Sequence, residues 1–326
     1  MIRSAPYFRL VAALFASALA CAVLPAGAQP YPSQPIKIIV PTAPGGVADI
    51  VARAFAQKLQ ESGKTAVVEN RTGAAGTIAA DSVAKSPPDG YTVYVGFHGT
   101  QSILPHLMTL PYDAATDISP VILVARSPNI LVVHPSVPAQ SMKQLIDYAK
   151  ANPGKLTYAS QGNGSSGHIV GEQFKQVTGT DIAHVPYRGA APAVQDLVAG
   201  HVTMMFDILT LAVPQVKADK VRAIAVAAPQ RVAALPDVPT MAEAGLPQLE
   251  GGPWFGLLVP AGTPRAVVDW LNSEARKAFE APEVRERLAA QNLTLPLGTP
   301  EDFAAHIAAE TKRWGDVIRA ANIKME

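Results

Sequence analysis

The sequence predicts an α/β protein built as two lobes, and three observations carry that expectation. Apolar strand segments alternate with amphipathic helical segments along the chain, the pattern of βαβ units. Removal of a leader of 28 from 326 residues leaves enough chain for two units of ordinary domain size. A Gly-rich turn joins strand to helix once in each half, at PTAPGGVAD and at SQGNGSSGH. Hydrophobic residues at 48% and charged residues at 16% fit a substantial buried sheet.

Arg3 and Arg9 precede an apolar run from Leu10 to Leu24, followed by Ala26-Gly27-Ala28, the layout of a secretory signal peptide cleaved after Ala28. The run is short for a membrane span and Pro25 ends it. Cys21 is the single cysteine, and Ala18-Leu19-Ala20 before it puts Ala where a lipobox usually has Leu. The exported chain then has no cysteine, which excludes a disulfide, a thiolate nucleophile and a zinc-thiolate site. Loss of Arg3 and Arg9 shifts the formal charge from +1 to −1, so no basic field for nucleic acid exists. No later run is long enough to cross a membrane, and the expected product is a soluble exported protein.

Ile36 to Val40 is the first strand, and Pro41 to Asp49 turns it into a helix carrying Val47, Ile50, Val51, Ala54, Phe55 and Leu59 at helical spacing, ending near Gly63. Thr65 to Glu69, a turn from Arg71 to Gly76, a helix with Ile78 and Val83, the Pro87-Pro88-Asp89-Gly90 turn and the strand Tyr91 to Val95 repeat the unit. Such alternation implies parallel pairing with right-handed crossovers and a ligand beyond the carboxyl ends of the strands. A second unit begins at Asn129 with the strand Ile130 to Val133 and a helix announced by Ser141, with Gln144 completing a capping box. Leu156 to Ala159 leads into the Ser160 to Gly167 loop and a helix Ile169 to Val177. Ala183 to Pro186 leads into a helix through Gln195, Val202 to Phe206 ends at Asp207, and Val221 to Ala227 is a further strand. After Pro229 to Pro247, the strand Trp254 to Val259 precedes helices begun at Thr263-Pro264 and Thr299-Pro300, each read as an N-cap with proline at the first helical position.

The PTAPGGVAD turn suits an anion. Gly45 and Gly46 let the backbone approach a ligand, and the first N–H groups of a helix lack intrahelical partners. The positive end of the dipole favours a carboxylate or phosphate. The turn lacks the Gly-Lys-Ser/Thr of a P-loop and the three-glycine dinucleotide fingerprint, which leaves a small carboxylate as the favoured ligand and calls for no cofactor. Ser160 to His168 repeats the chemistry with Ser160, Gln161, Asn163, Gly164, Ser165 and Ser166. Each loop is equally readable as a plain strand-to-helix connection; two of them facing across a cleft would clamp a small anion. Ser165 or Ser166 with His168 could be drawn as a hydrolase, but residues 164 to 168 read GSSGH rather than Gly-x-Ser-x-Gly. The seven histidines show neither HExxH nor a cysteine partner, so no metal site is expected.

PTAPGGVADIVAR, VENRTGAAGTIAAD, PPDGYTVYVG, LPYD, HVPYRGAAPAVQDLVAG, MFD, ALPDVPTMAEAGLP, WFGLLVPAGTP and KRWGDVIRAANIK follow one another from about Tyr31 to the C terminus. In that order they resemble the motifs of the tripartite tricarboxylate transporter receptors, also called Bug proteins, from Bordetella uptake gene. The resemblance implies a Venus-flytrap fold of the periplasmic binding type. Its lobe 1 would be 29–128 plus 254–326 and its lobe 2 129–253, joined by two crossing segments, with a carboxylate in the cleft and membrane transport subunits as partners. It implies a monomer and no enzyme. It places the ligand carboxylate at Thr42, Pro44, Gly45 and Gly46 with Asp49 on the helix after them, and Thr77 and His98 to Thr100 on the first-lobe side. Across the cleft it places Ser160 to Ser166, Tyr187, Arg188 and Gly189, and Phe206 with Asp207. The family's GAGG reads Gly73-Ala74-Ala75-Gly76 here, and a methyl at Ala75 would narrow that loop or shift its waters, which bears on the contacts assigned to Thr77.

Asp49 reads as a partner for a ligand amine or hydroxyl, or as an acid placed by the helix dipole. Arg188 reads as a fork for a second carboxylate or as an exposed loop arginine. Phe97, Tyr187, Trp254 and Phe255 read as cleft wall, Trp254 and Phe255 more readily as core or hinge packing at the start of a strand, and Phe97 and Tyr187 lean toward a ring. Citrate-like tricarboxylates, dicarboxylates, acidic amino acids and aromatic acids such as nicotinate or terephthalate are not separated at this level. A ligand-sensing module docking on a sensor kinase is the alternative use of the same lobes.

Overall fold

The computed structural model describes residues 31–324, so the leader, its cleavage after Ala28 and Cys21 lie outside the described residues. By its contacts the chain divides into Met1–Ser33, of which residues 31–33 are described, and Gln34–Glu326, which holds every named element. Strands β1 (Ile36–Val40), β2 (Ala66–Asn70), β3 (Thr92–Phe97), β4 (Ile118–Arg126) and β10 (Trp254–Pro260) form one sheet in the order β2-β1-β3-β10-β4. The other sheet uses β5 (Asn129–Val133), β6 (Thr157–Ser160), β7 (Ala183–Pro186), β8 (Met204–Ile208) and β9 (Arg222–Val226) in the order β7-β6-β8-β5-β9. The helices are α1 (Val47–Glu61), α2 (Thr77–Ala84), α3 (Met142–Ala151), α4 (Ser166–Thr178), α5 (Ala190–Ala199), α6 (Leu209–Lys217), α7 (Arg265–Glu280), α8 (Pro282–Ala289) and α9 (Pro300–Ala320). No described helix is long and apolar enough to cross a membrane.

The expected parallel pairing holds for β1 with β2 and β3 and for β6 with β7 and β8. It fails at one place in each sheet. β10 runs antiparallel between β3 and β4, and β5 runs antiparallel between β8 and β9. Both odd strands are entered from a segment crossing between the sheets, so no helical crossover sets their direction. β4 was absent from the sequence reading because Pro120 interrupts its apolar run. Proline is tolerated here on an edge strand, where Pro120 pairs with Leu258 of β10. Pro214 hid α6 in the same way, and the short α8 was also missed.

Capping follows local chemistry. Ser141 accepts the Gln144 N–H at 3.3 Å, but the Gln144 side chain takes the Gln140 N–H instead of closing the expected box. Thr299 and Asp302 form a full capping box with Pro300 at the first position. Thr263 is not a cap: Pro264 is, and the Thr263 hydroxyl donates to Pro260 O at 2.7 Å.

The two crossing segments lie against each other. Ser127 N donates to Pro253 O at 3.0 Å and Asn129 N to Gly251 O at 3.0 Å. A Cβ on Gly252 would stand 2.2 Å from Ser127 O, so the approach requires glycine. α9 adds a third tie: Phe303 packs edge-on to Trp254 in the first core, whereas Trp314, Val317 and Ile318 are buried in the second.

Candidate functional site

A cavity of about 950 Å³ is lined by both sheets' loops, from Pro41 to Ala48 on one side and from Gln161 and Asn163 to Ser166 on the other. Of the residues singled out in the sequence, Thr42, Pro44, Gly45, Gly46, His98, Gln161, Asn163, Gly164, Ser165, Ser166 and Gly189 line it. Asp49, Thr77, Thr100, Ser160, Tyr187, Arg188, Phe206 and Asp207 do not.

The turn after β1 is held from behind. The Asp49 carboxylate accepts from Gly45 N at 2.9 Å, Asn70 Nδ2 at 2.9 Å and Arg53 Nε at 2.8 Å, and Asn70 also donates to Thr42 O at 2.9 Å. Burial raises the Asp49 pKa, but the bonds from Arg53, Gly45 and Asn70 outweigh it and leave the group below the usual carboxylate range. The Gly45 N–H is therefore spent on Asp49. The next donors are not spent on a side chain: Gly46 is the N-cap of α1 and no side chain caps it. Gly46, Val47 and Ala48, where the helix begins, face the cavity.

The neighbouring turn carries the sequence departure. Ala75 lines the cavity in the left-handed region at φ 53°, a conformation that costs a non-glycine residue about 1 kcal/mol or more. Gly76 at φ 91° is uncapped by any side chain, and a Cβ there would lie 3.0 Å from Phe97 and 3.1 Å from Pro41. Thr77 turns its hydroxyl to Ala74 O, and Thr100 turns its own to Tyr94 inside the core.

On the opposite side, Ser165 caps α4 by accepting the His168 N–H at 3.3 Å. Ser160 is fully buried, with its hydroxyl 2.7 Å from His184 Nε2. His184 stacks on His168, whose Nδ1 accepts from Gly164 N at 3.1 Å, and burial first, then His168, pushes the His184 pKa down to about 4. Neither Ser165 nor Ser166 contacts a histidine ring in these bonds, and the Ser160–His184 pair lies beneath the loop. Beneath it too, Asp207 Oδ1 accepts from Ile208 N at 2.8 Å and Gln161 Nε2 at 3.3 Å, while Ser166 donates to Asn129 Oδ1 at 3.3 Å. Burial pushes Asp207 up to about 7, the two bonds opposing it. Tyr187 spends its hydroxyl on Asp196 at 2.7 Å, Arg188 is exposed, and Phe206 is buried in the core.

Residues not anticipated complete the wall. Ala190 and Ala191 open α5, whose N-cap Gly189 brings no side-chain cap, and Thr210 lies in the first turn of α6, also without one. Val194, Ile208 and Leu211 supply apolar surface, joined by Phe97 and Phe255, which the sequence had offered as cleft wall. The uncapped starts of α5 and α6 were legible only once those helices were bounded. Thr42 Oγ1, Gln161 Oε1 and both ring nitrogens of His98 are buried without a hydrogen-bond partner among the described residues. Buried polar atoms are rarely left so unless a ligand or water completes them.

Residues 47–323 match the sequence model described as "Tripartite tricarboxylate transporter family receptor". Protein BugT of Bordetella pertussis (strain Tohama I) is 36% identical over 308 residues, 93% of this chain and 94% of its own. Among solved structures, Rpa4515 of R. palustris with adipate is 38% identical with a TM-score of 0.82, covering 90% of this chain and 99% of that one. MatC (Rpa3494) from Rhodopseudomonas palustris with bound malate is 34% identical with a TM-score of 0.78, covering 88% and 100%.

Proposed function

The chain belongs to the tripartite tricarboxylate transporter receptor family and is a solute-binding receptor; from that premise we propose that it is exported to the periplasm and captures a small organic carboxylate. The lobes are 29–128 with 254–326 and 129–253, and the closed form is presented to membrane transport subunits. The observation that carries this reading is the side-chain-uncapped start of α1 opening onto a cavity that both loops line. A carboxylate there would take backbone donors and the favourable end of the dipole. The adipate and malate held by related structures support the same ligand chemistry.

In this reading Thr42, Pro44, Gly45, Gly46 and His98 form the first-lobe wall, and Gln161, Asn163, Gly164, Ser165, Ser166 and Gly189 the second. Asp49, Thr77, Thr100, Ser160 and Asp207 position them. A ligand touching both walls stabilises the closed arrangement because the open one satisfies one wall only. Thermal unfolding of the chain from Gln29 onward, refolded free of carried ligand and titrated with adipate and other small acids, tests it. A ligand at a hundred times its Kd stabilises the fold by about 2.7 kcal/mol; no shift with any carboxylate would overturn the reading.

A further inference from the structure

A second cavity, of about 880 Å³, shares no lining residue with the first. Strand periodicity separates them: along β10, Phe255 lines the first and its neighbour Trp254 the second. Both crossing segments wall the second cavity, at Ser127 and Pro128 and at Glu250 to Gly252, with the end of β4 and the middle of α9 beside them. Whatever binds there lies against the hinge and outside the cleft.

The side chains gathered at one part of this wall are donors. Arg126 donates from Nη2 to His306 Nδ1 at 3.0 Å, and because a guanidinium cannot accept, the His306 proton sits on Nε2. That Nε2 is buried without a hydrogen-bond partner among the described residues. So is Nε1 of Trp254, a residue 1% exposed whose ring lies 5.5 Å from that of His306. Burial first, then Arg126, pushes the His306 pKa down to about 4, which leaves the ring neutral and the charge on Arg126. The other arginines of the wall are committed, Arg231 to Glu243 and Arg313 to Glu310, whereas Arg126 makes no ion pair among the described residues. Glu310 also accepts from Trp314 Nε1 at 2.9 Å.

We propose that this cavity is a second ligand site, for a small tetrahedral oxyanion of the phosphate type, seated on Arg126, His306 and Trp254 behind the hinge. Such an ion supplies the acceptors that two buried N–H groups lack and a counter-charge for Arg126. A carboxylate presents both oxygens in one plane, which suits the guanidinium alone; a tetrahedral ion has further oxygens out of that plane for the two rings. Glu250 opposes the ion, but the wall's three arginines outnumber its two glutamates. The proposal does not depend on which acid the cleft holds.

NMR of the tryptophan indole N–H groups reads this site directly. The Trp254 signal, identified by its loss in Trp254→Phe, should move saturably as inorganic phosphate is added to the refolded chain, and equally in Gly46→Phe, where a ring blocks the first cavity. Arg126 is exposed, so Arg126→Gln should fold normally by circular dichroism and weaken phosphate binding by about tenfold or more. Glycerol phosphate in parallel separates the sources: tighter binding than inorganic phosphate assigns the seat to a phosphate ester, weaker binding to the free ion. An unmoved Trp254 signal with both overturns the proposal, as does a phosphate affinity that Arg126→Gln leaves unchanged. A response abolished by Gly46→Phe would put the ion in the cleft and overturn it equally.

Discussion

The two loops that face each other across the cavity solve the same local problem with opposite chemistry. The turn after β1 is fixed by a charged carboxylate, Asp49, bonded to Gly45, Asn70 and Arg53, and the helix it opens is left without a side-chain cap. The turn after β6 is fixed by neutral groups, with Ser160 on His184 and Gly164 on His168, and its helix is capped by its own Ser165. A loop braced by a side chain of its own helix that reaches back to the turn, as Asp49 does to Gly45, can leave the helix start to a ligand, whereas a loop whose N-cap side chain caps the helix must offer hydroxyls and amides instead. On the proposed reading, the first loop is then the stronger carboxylate seat and the second the adaptable wall.

The largest effect expected from breaking this asymmetry is at Gly46. Its φ of −74° is open to any residue, but a Cβ there already meets Thr42 Oγ1 at 3.3 Å, and a ring would fill the space in front of the uncapped N–H groups. Gly46→Phe should lose all detectable adipate binding by calorimetry, with the unliganded chain still folded by circular dichroism. Retained affinity would move the seat elsewhere.

The next effect separates the loops by pH. Asp207, beneath the second loop, has its folded pKa raised to about 7, against about 3.9 in an unfolded chain. The folded state holds the proton more tightly, so this group's contribution is best below pH 4 and is lost as pH rises to about 7, on the order of a few kcal/mol. His98, beside the first loop, is lowered to about 3, so the unfolded state takes up its proton first and stability falls as pH drops below about 6.5. Urea unfolding across pH 4.5 to 7.5 should show Asp207→Asn gaining stability relative to the parent as pH rises. Parallel profiles for the two proteins would show that the carboxyl is not buried as described.

The smallest effects compare the two braces directly. Asp49→Ala leaves three donors without their acceptor and should cost about 2 kcal/mol, while Ser165→Ala removes one cap and should cost about 1 kcal/mol. Chemical denaturation of both variants measures the difference. Equal costs would mean that the charged brace contributes no more than an ordinary cap.

Much of this was legible in the sequence because it is local. The strand bounds at Ile36–Val40 and Ala183–Pro186, the helix after Gly46 and the capping box at Thr299 all follow from residues a few positions apart. The antiparallel placement of β5 and β10 was not legible, since it depends on where a crossing segment lands rather than on periodicity. The role of Asp49 was half legible. Its place in the first helical turn was visible, but its bond to Asn70 joins positions 21 residues apart on a neighbouring strand. Phe206 and Asp207 show the period of a strand at work, one side chain entering the core and the next ending among the buried polar groups behind the loop.

The position of β10 sets an order of events as the chain is made. Phe255 pairs with Phe97 and Leu257 with Ile122, so the place between β3 and β4 in the first sheet stays empty until the whole second sheet has been synthesised. Every strand of the second sheet, by contrast, lies between Asn129 and Val226. During N-to-C-terminal synthesis the sheet that begins first is completed last, while the core of the second waits for Trp314, Val317 and Ile318 of α9. Completion of the first sheet depends on contacts of high sequence separation, which fold slowly and leave β3 and β4 with exposed edges in the interval.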